Sequence, residues 1–502
     1  MRRARINAGS TLLHQLVSTA CGIVIPWIMI NQFGSEAYGA TTSIAQFLAY
    51  ITLFEGGVGR VARGALYAPL ATGDEERISG IYLSVKRFFR ILGIGFMGYA
   101  LILAIFYYDI SDVSGFTREY IFALVLAIAV GKFAEYMGGI TNITLFHADQ
   151  RQYVVNSVLI FTSILNVILV VVLANAGVDI LWVKLVSSLV FVLKPIFFTI
   201  YLKRHYCIRK PKKQVTLENK ATGIAQHMAY VIQNNTDVLI LTIFADLKAV
   251  AVYSVYHLVS FSLRNITTSF TGGMEAVFGN MIAKDEQTIL QQTYQKYKFL
   301  LTLLSVTLFG TACALIVPFV RLYTAGTTDA NYTQPVFALL LLIAEAINCL
   351  VLPCFNLSIA ANKLKESKIG AYGEAAVNLT VSLILIWWNP LIGVAIGTLA
   401  SAIFKSMYYM VFAGKHILKM KISRLIRDFA VTMLVLIAIS CVGMRIVFDI
   451  PFYNYWRWCV GGVVVVLIVG LVASLIDLAL YPNVGRSYLA VLKKKLGGRV
   501  NR

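Results

Sequence analysis

Charge is what this sequence most lacks. Only 14% of its 502 residues are charged, with 24 Asp and Glu against 44 Lys and Arg, while 58% are apolar. Ordinary soluble domains carry about 25% charged residues. So little polar surface cannot keep a chain of this size in water, which excludes a soluble enzyme, a disordered chain and a secreted disulfide scaffold. Cysteine is sparse and unpatterned. Cys21, Cys207, Cys313, Cys349, Cys354, Cys441 and Cys459 form no CxxC pair, and nearly all lie in apolar runs as small packing residues. No GxxxxGK[ST] loop for ATP and no His/Glu zinc pattern is present, so neither a cofactor nor a metal is expected. No large loop carries the paired carboxylates of a glycosyltransferase or polymerase, and the chain reads as a non-enzyme. The opening MRRARINAGSTLLHQ lacks an A-x-A cleavage site, so its hydrophobic segment is expected to be retained.

Long apolar runs are what is there. A spanning helix needs about 17–25 mainly apolar residues. Fourteen segments qualify, near residues 11–32, 37–58, 86–108, 119–141, 153–175, 180–202, 222–244, 249–270, 298–320, 334–356, 370–389, 391–413, 429–448 and 458–481. The expected fold class is an all-α polytopic membrane protein of about fourteen transmembrane helices. An even number puts both termini on one side. Of the 44 Lys and Arg, only Arg118, Lys248, Arg321, Arg445 and Arg457 fall in the opposite loops, and Lys132, Lys184, Lys194, Arg264 and Lys405 lie within spans. All others share the side of the termini, which the positive-inside rule makes cytoplasmic. The net charge of +20 is thus accounted for without a nucleic-acid partner. The basic tail is expected to lie on anionic membrane lipids.

The chain repeats itself. FGSEAYGATTSIAQFL from Phe33 and FADLKAVAVYSVYHLV from Phe244 share Phe33/Phe244, Ala40/Ala251 and Ser43/Ser254. Each sits at a tight turn between the first two helices of a six-helix unit, and each second helix closes on a glycine pair, Gly56-Gly57 and Gly272-Gly273. The expected organisation is a six-helix bundle (1–202), a basic cytoplasmic linker (203–221), a second six-helix bundle (222–413), two additional spans (414–481) and a basic cytoplasmic tail (482–502). Repeated halves are how many secondary transporters build a central site and alternate its access.

The opening helix followed by FGSEAYG, the second helix closing in LFEGGVGRVARG, and the restart FADLKAVAVYS resemble the polysaccharide and O-antigen flippases of the multidrug/oligosaccharidyl-lipid/polysaccharide exporter superfamily. That resemblance covers essentially the whole chain. It implies two six-helix bundles in a V around a central cavity, in a bacterial inner membrane. The implied substrate is a polyprenyl-diphosphate-linked oligosaccharide, moved to the periplasmic leaflet by alternating access. An ion gradient (H+ or Na+) or the membrane potential would drive it, with polysaccharide polymerase and glycosyltransferases as associated partners.

Ionisable residues inside spans are costly and usually face a bundle interior or a watery cavity. Arg264 in the eighth span is the expected cation for a sugar diphosphate, because guanidinium forks onto phosphate oxygens. By the resemblance, Arg60 and Arg63 at the end of the second span supply the same cation in the first half. Lys132 and Glu135 share one helix face at i and i+3, Lys132 adding positive charge and Glu135 a gate. Asp237, with Gln233 and Asn234 in QNNTD, forms a polar patch suited to a coupling ion or sugar hydroxyls. Glu345 reads as an isolated buried carboxylate for proton coupling, and Pro26 as a bendable point for gating. Glu55, Glu275, Glu374 and Asp477 stand near span ends and are expected to be solvated, with Lys184 and Lys405 snorkelling.

Two other transport readings share this layout. A multidrug and toxin extrusion antiporter prefers an acidic cavity, often with a carboxylate on the first helix, whereas the first span here offers only His14, Gln15 and Asn31. A flippase of the peptidoglycan precursor lipid II is the other.

Overall fold

The computed structural model describes residues 2–55, 57–111, 113, 115–209, 235–361, 364–448, 450, 452–482 and 484–485, leaving out the side chains of residues 2, 4, 60 and 364–368. Residues 210–221 of the linker, the pair Gln233 and Asn234, Gly56, the Arg60 side chain and the tail from 486 lie outside the described residues.

The structure is 88% helix, with no strand among the described residues. Among the described residues, ten helices are long and apolar enough to cross a membrane, against the fourteen spans expected. Each of the fourteen expected segments carries helix. The first two merge into α1 (Arg2–Ala49), which stays helical through Pro26 and leaves helical geometry at Gly34, with φ 83°. A 3-10 turn (Tyr50–Glu55) then leads to α2 (Val58–Thr72) and α3 (Glu75–Ile110). The fourth segment is α4 (Arg118–Ala134), a π-turn (Glu135–Gly139) and α5 (Ile140–Ala148); α6 (Gln152–Asn175) and α7 (Ile180–His205) follow. The described part of α8 is Asn235–Phe244. Beyond it come α9 (Leu247–Ser269), α10 (Met274–Ala283), α11 (Gln287–Tyr323), α12 (Pro335–Leu350), α13 (Leu352–Ala360), α14 (Leu364–Leu385), α15 (Pro390–Ala413), α16 (Ile422–Phe448) and α17 (Tyr455–Leu480).

Helix starts follow local chemistry. Asp74 caps α3 by accepting from the Arg77 amide at 2.9 Å, with Glu75 and Glu76 at the positive end of the helix. Asn389 precedes Pro390 and caps α15, while Asn454 caps α17. The two glycine pairs do more than end a span. Gly57 and Gly273 both have positive φ, 71° and 85°, and each starts a short new helix, α2 and α10. A β-carbon is strained in that region of φ, so glycine permits the turn. Arg60 and Arg63 therefore stand on a separate helix and not at the end of the second span.

The chain forms two compact units: residues 1–254 with 326–330, and residues 255–325 with 331–502. The first unit packs α1 on α6, α4 on α7 and α3 on α4, around Phe89, Phe96, Tyr107, Tyr136, Phe146 and Phe198. In the second, α14 packs on α15, α12 on α15, and α11 on both α16 and α17. Its core gathers Phe278, Tyr294, Tyr297 and Tyr409. Outer faces stay apolar: Val463, Leu467, Leu471 and Leu475 of α17 are all exposed, as lipid contact requires. The protein is a multi-pass membrane protein.

Candidate functional site

In the first unit, the 3-10 turn delivers Glu55 to the mouth of a cavity of about 400 Å³. Gly57 then turns the chain, so that the first residues of α2 line the cavity with Arg63, Lys132, Thr144 and His147. Gly57 has no side-chain oxygen to cap the first amides of α2. A helix N-terminus with uncapped N–H groups is an anion-binding element. Arg63 Nη1 stands 3.5 Å from His147 Nδ1.

A ladder of charges runs behind this wall. The Tyr136 hydroxyl donates to Glu55 Oε1 at 2.7 Å, and Lys132 Nζ lies 4.0 Å from the same oxygen. Lys132 reaches Glu135 Oε2 at 3.5 Å, as the i, i+3 spacing predicts. Lys194 of α7 donates to the other Glu135 oxygen at 3.1 Å. The π-turn starts at Glu135, and such turns often mark functional sites because they re-aim side chains. Three cations, Arg63, Lys132 and Lys194, thus face two carboxylates, Glu55 and Glu135. Sequence reasoning missed Lys194 as the second partner of Glu135 and Glu55 as a cavity residue. A lysine preceding Pro195 in mid-span was the available signal.

Asp237, on α8, is 5% exposed and accepts from the Tyr253 hydroxyl at 2.9 Å. Its neighbours extend the polar seam, with Tyr50 Oη 3.5 Å from Thr236 and Ser43 Oγ 2.7 Å from Thr242. Gln233 and Asn234 lie outside the described residues.

In the second unit the cations are closed into pairs. Arg264 Nη1 approaches both Glu345 oxygens at 3.3 and 3.4 Å and lies over the Phe261 ring. Glu345 is therefore not isolated, as the sequence had suggested. Lys405 does not snorkel: it donates to Glu374 at 3.0 Å and stands 3.5 Å from Asn348 Oδ1. Glu374 and Asp477 are 3% and 2% exposed, against the solvated positions expected of both, because each sits on the packed stripe of its helix.

No protein-family model matches this chain, and no curated protein matches it. Solved structures do. The chain is similar to a multidrug resistance MATE family transporter of the MOP superfamily in an inward-facing conformation, with TM-score 0.65 and 13% identity, over 79% of this chain and 95% of that one. It is similar to the lipid II flippase MurJ in an inward closed conformation, with TM-score 0.62 and 13% identity, over 94% and 98%. It is also similar to a MATE transporter in complex with MaL6, with TM-score 0.58 and 12% identity, over 82% and 96%. The fold is therefore that of these MATE and MurJ structures, the architecture that the sequence resemblance implied.

Proposed function

We propose that this chain is a flippase that carries polyprenyl-diphosphate-linked oligosaccharide repeat units from the cytoplasmic to the periplasmic leaflet for O-antigen or other surface-polysaccharide synthesis. It works in a bacterial inner membrane with both termini in the cytoplasm. Alternating access is driven by an H+ or Na+ gradient or by the membrane potential, and the product is handed to a polysaccharide polymerase.

The observation that carries this reading is the cavity of the first unit. The α2 N-terminus, Arg63 and Lys132 line one space and outnumber the single carboxylate in its lining, Glu55. A diphosphate is recognised by that set, since charge-assisted donors to phosphate are the strong hydrogen bonds. A cationic drug is repelled by it. Coverage supplies further support. A match over 94% of the chain cannot leave out both α16 and α17, whereas matches over 79% and 82% can. In this reading Arg264 is held by Glu345 and acts after that pair opens, while Arg63 and Lys132 make the first contact. Arg60 adds to the same helix. Asp237, Glu345 and Glu135 are the carboxylates through which an ion gradient acts, and Pro26, helical in this state, is the point where α1 bends as access alternates.

Lipid II carries the same polyprenyl diphosphate, and the extent of the match to its flippase favours it as the second reading. Depletion of the protein in its host separates these readings. Complete repeat units should build up on the cytoplasmic face while surface polysaccharide disappears. Build-up of the peptidoglycan precursor with growth arrest would select lipid II. Unchanged lipid-linked pools and surface glycan would reject both and make drug export the next test.

A further inference from the structure

Outside these clusters, one group of ionisable side chains is deeply buried in the second unit. Lys298 on α11, Asp428 on α16 and Asp477 on α17 are 9%, 4% and 2% exposed. Lys298 Nζ lies 3.7 Å from Asp428 Oδ2 and 5.5 Å from the centre of the Tyr481 ring. Asp477 and Tyr481 are one helical turn apart and so share a face; Tyr481 lies against Lys298, and Asp477 stands beyond ion-pair distance but within reach of its charge. Asp428 Oδ1 accepts from Arg427, whose side chain is 70% exposed. Asp477 Oδ2 and the Tyr481 hydroxyl are buried without a hydrogen-bond partner among the described residues.

Among the described residues the site holds two carboxylates and one buried ammonium, Arg427 reaching Asp428 only from the exposed side, so no buried cation is left for Asp477. An ionised, unmatched carboxylate in such a place is strongly unfavourable. One added positive charge balances it. A metal ion does not suit the site, because an ammonium already stands beside Asp428 and no group of three acidic or imidazole ligands occurs among the described residues. A proton suits it: the Asp477 carboxylate takes H+ on Oδ2 and becomes a neutral carboxylic acid, leaving Lys298 and Asp428 as the one ion pair. Among the described residues, the other titratable or charged groups facing the cluster are Tyr294 of α11, Arg424 of α16 and Cys354 of α13.

We infer that Asp477 is a buried proton-binding site built by the last two helices against α11. When the proton leaves, Lys298 is shared between two carboxylates carried by different helices. Because α11 packs on both α16 and α17, proton exchange at Asp477 sets how those two helices sit on it. The inference stands apart from the substrate reading, since it requires no transport.

Infrared difference spectroscopy of the purified full-length protein, between alkaline and acidic buffer, tests it. The wild type should show a protonated-carboxyl C=O band at the high-frequency edge of the carboxylic range, where groups accepting no hydrogen bond absorb. Asp477→Asn should remove that band. Asp428→Asn should keep it but move its midpoint to lower pH, with roughly tenfold weaker proton affinity, because Asp477 then has Lys298 to itself. Survival of the band in Asp477→Asn, its absence from the wild type, or an unmoved midpoint in Asp428→Asn overturns the inference.

Discussion

The two units place charges at corresponding points of their repeated helices and treat them differently. Lys194 stands about midway along α7, and Lys405 about midway along α15. Lys194 meets Glu135 in the break between α4 and α5, whereas Lys405 meets Glu374 of α14 and Asn348 of α12. In the first unit the side chains of Lys132, Glu135 and Glu55 remain 32%, 27% and 21% exposed beside a cavity. In the second, Glu345 and Glu374 are 5% and 4% exposed, each closed on one cation. Water-accessible charges can exchange partners cheaply, whereas buried pairs hold because opening them strands a charge. The difference lies in how easily each set of charges can change partners, and the proposed anion site draws on the looser set.

Removal of the cavity cations is the strongest way to break this contrast. Arg63→Ala with Lys132→Ala should reduce transport of lipid-linked repeats at least about a hundredfold, since each charge-assisted bond is worth about 1.5–3 kcal/mol. Transport assayed in reconstituted vesicles checks it, and near-normal flux in a folded double variant would sink the anion-site assignment.

Next comes Glu345→Ala. It takes from Arg264, whose side chain is only 18% exposed, its carboxylate partner and should cost about 3–5 kcal/mol of stability. Arg264→Met with Glu345→Leu should recover most of that in thermal unfolding. If the single variant is as stable as the double, the second unit is not closed by this pair.

Glu135→Gln sharpens the comparison from the other side. Lys132 is partly exposed and retains Glu55 at 4.0 Å, and the glutamine oxygen can still accept from Lys194, so the cost should be only about 1 kcal/mol. An effect as large as that of Glu345→Ala would remove the distinction between the units.

The smallest effect is expected outside the membrane segments. The Tyr206 hydroxyl donates to Asp149 at 2.5 Å, and burial together with that carboxylate pushes its pKa up. A raised pKa contributes stability that is present below the unfolded tyrosine value, about 10, and is lost as pH rises through the folded value. Tyr206→Phe should therefore cost about 1 kcal/mol at neutral pH, with the gap to wild type closing in strongly alkaline buffer. A gap that persists there would mean the hydroxyl proton is not what stabilises the turn.

Short-range patterns were legible before any fold was known. All fourteen apolar segments carry helix, the Lys132–Glu135 spacing produces the contact, and the glycine pairs mark matching turns at Gly57 and Gly273. The helix that starts after each pair was not foreseen, because VGRVARG reads equally as the frayed end of a span. The Arg264–Glu345 pair was hidden because its members are 81 residues apart. Asp477 looked solvated from its place near a span end, yet it continues the packed stripe of Val469 and Ala473.

Composition and periodicity by themselves determined that this chain lives in a membrane as a set of helices, because lipid demands apolar length and internally satisfied backbone. Loop charge set its expected orientation. Which charges meet was decided only by tertiary structure. An ionisable group buried in apolar surroundings must find its counter-ion or its proton wherever packing brings one, and packing joins residues that the sequence keeps far apart.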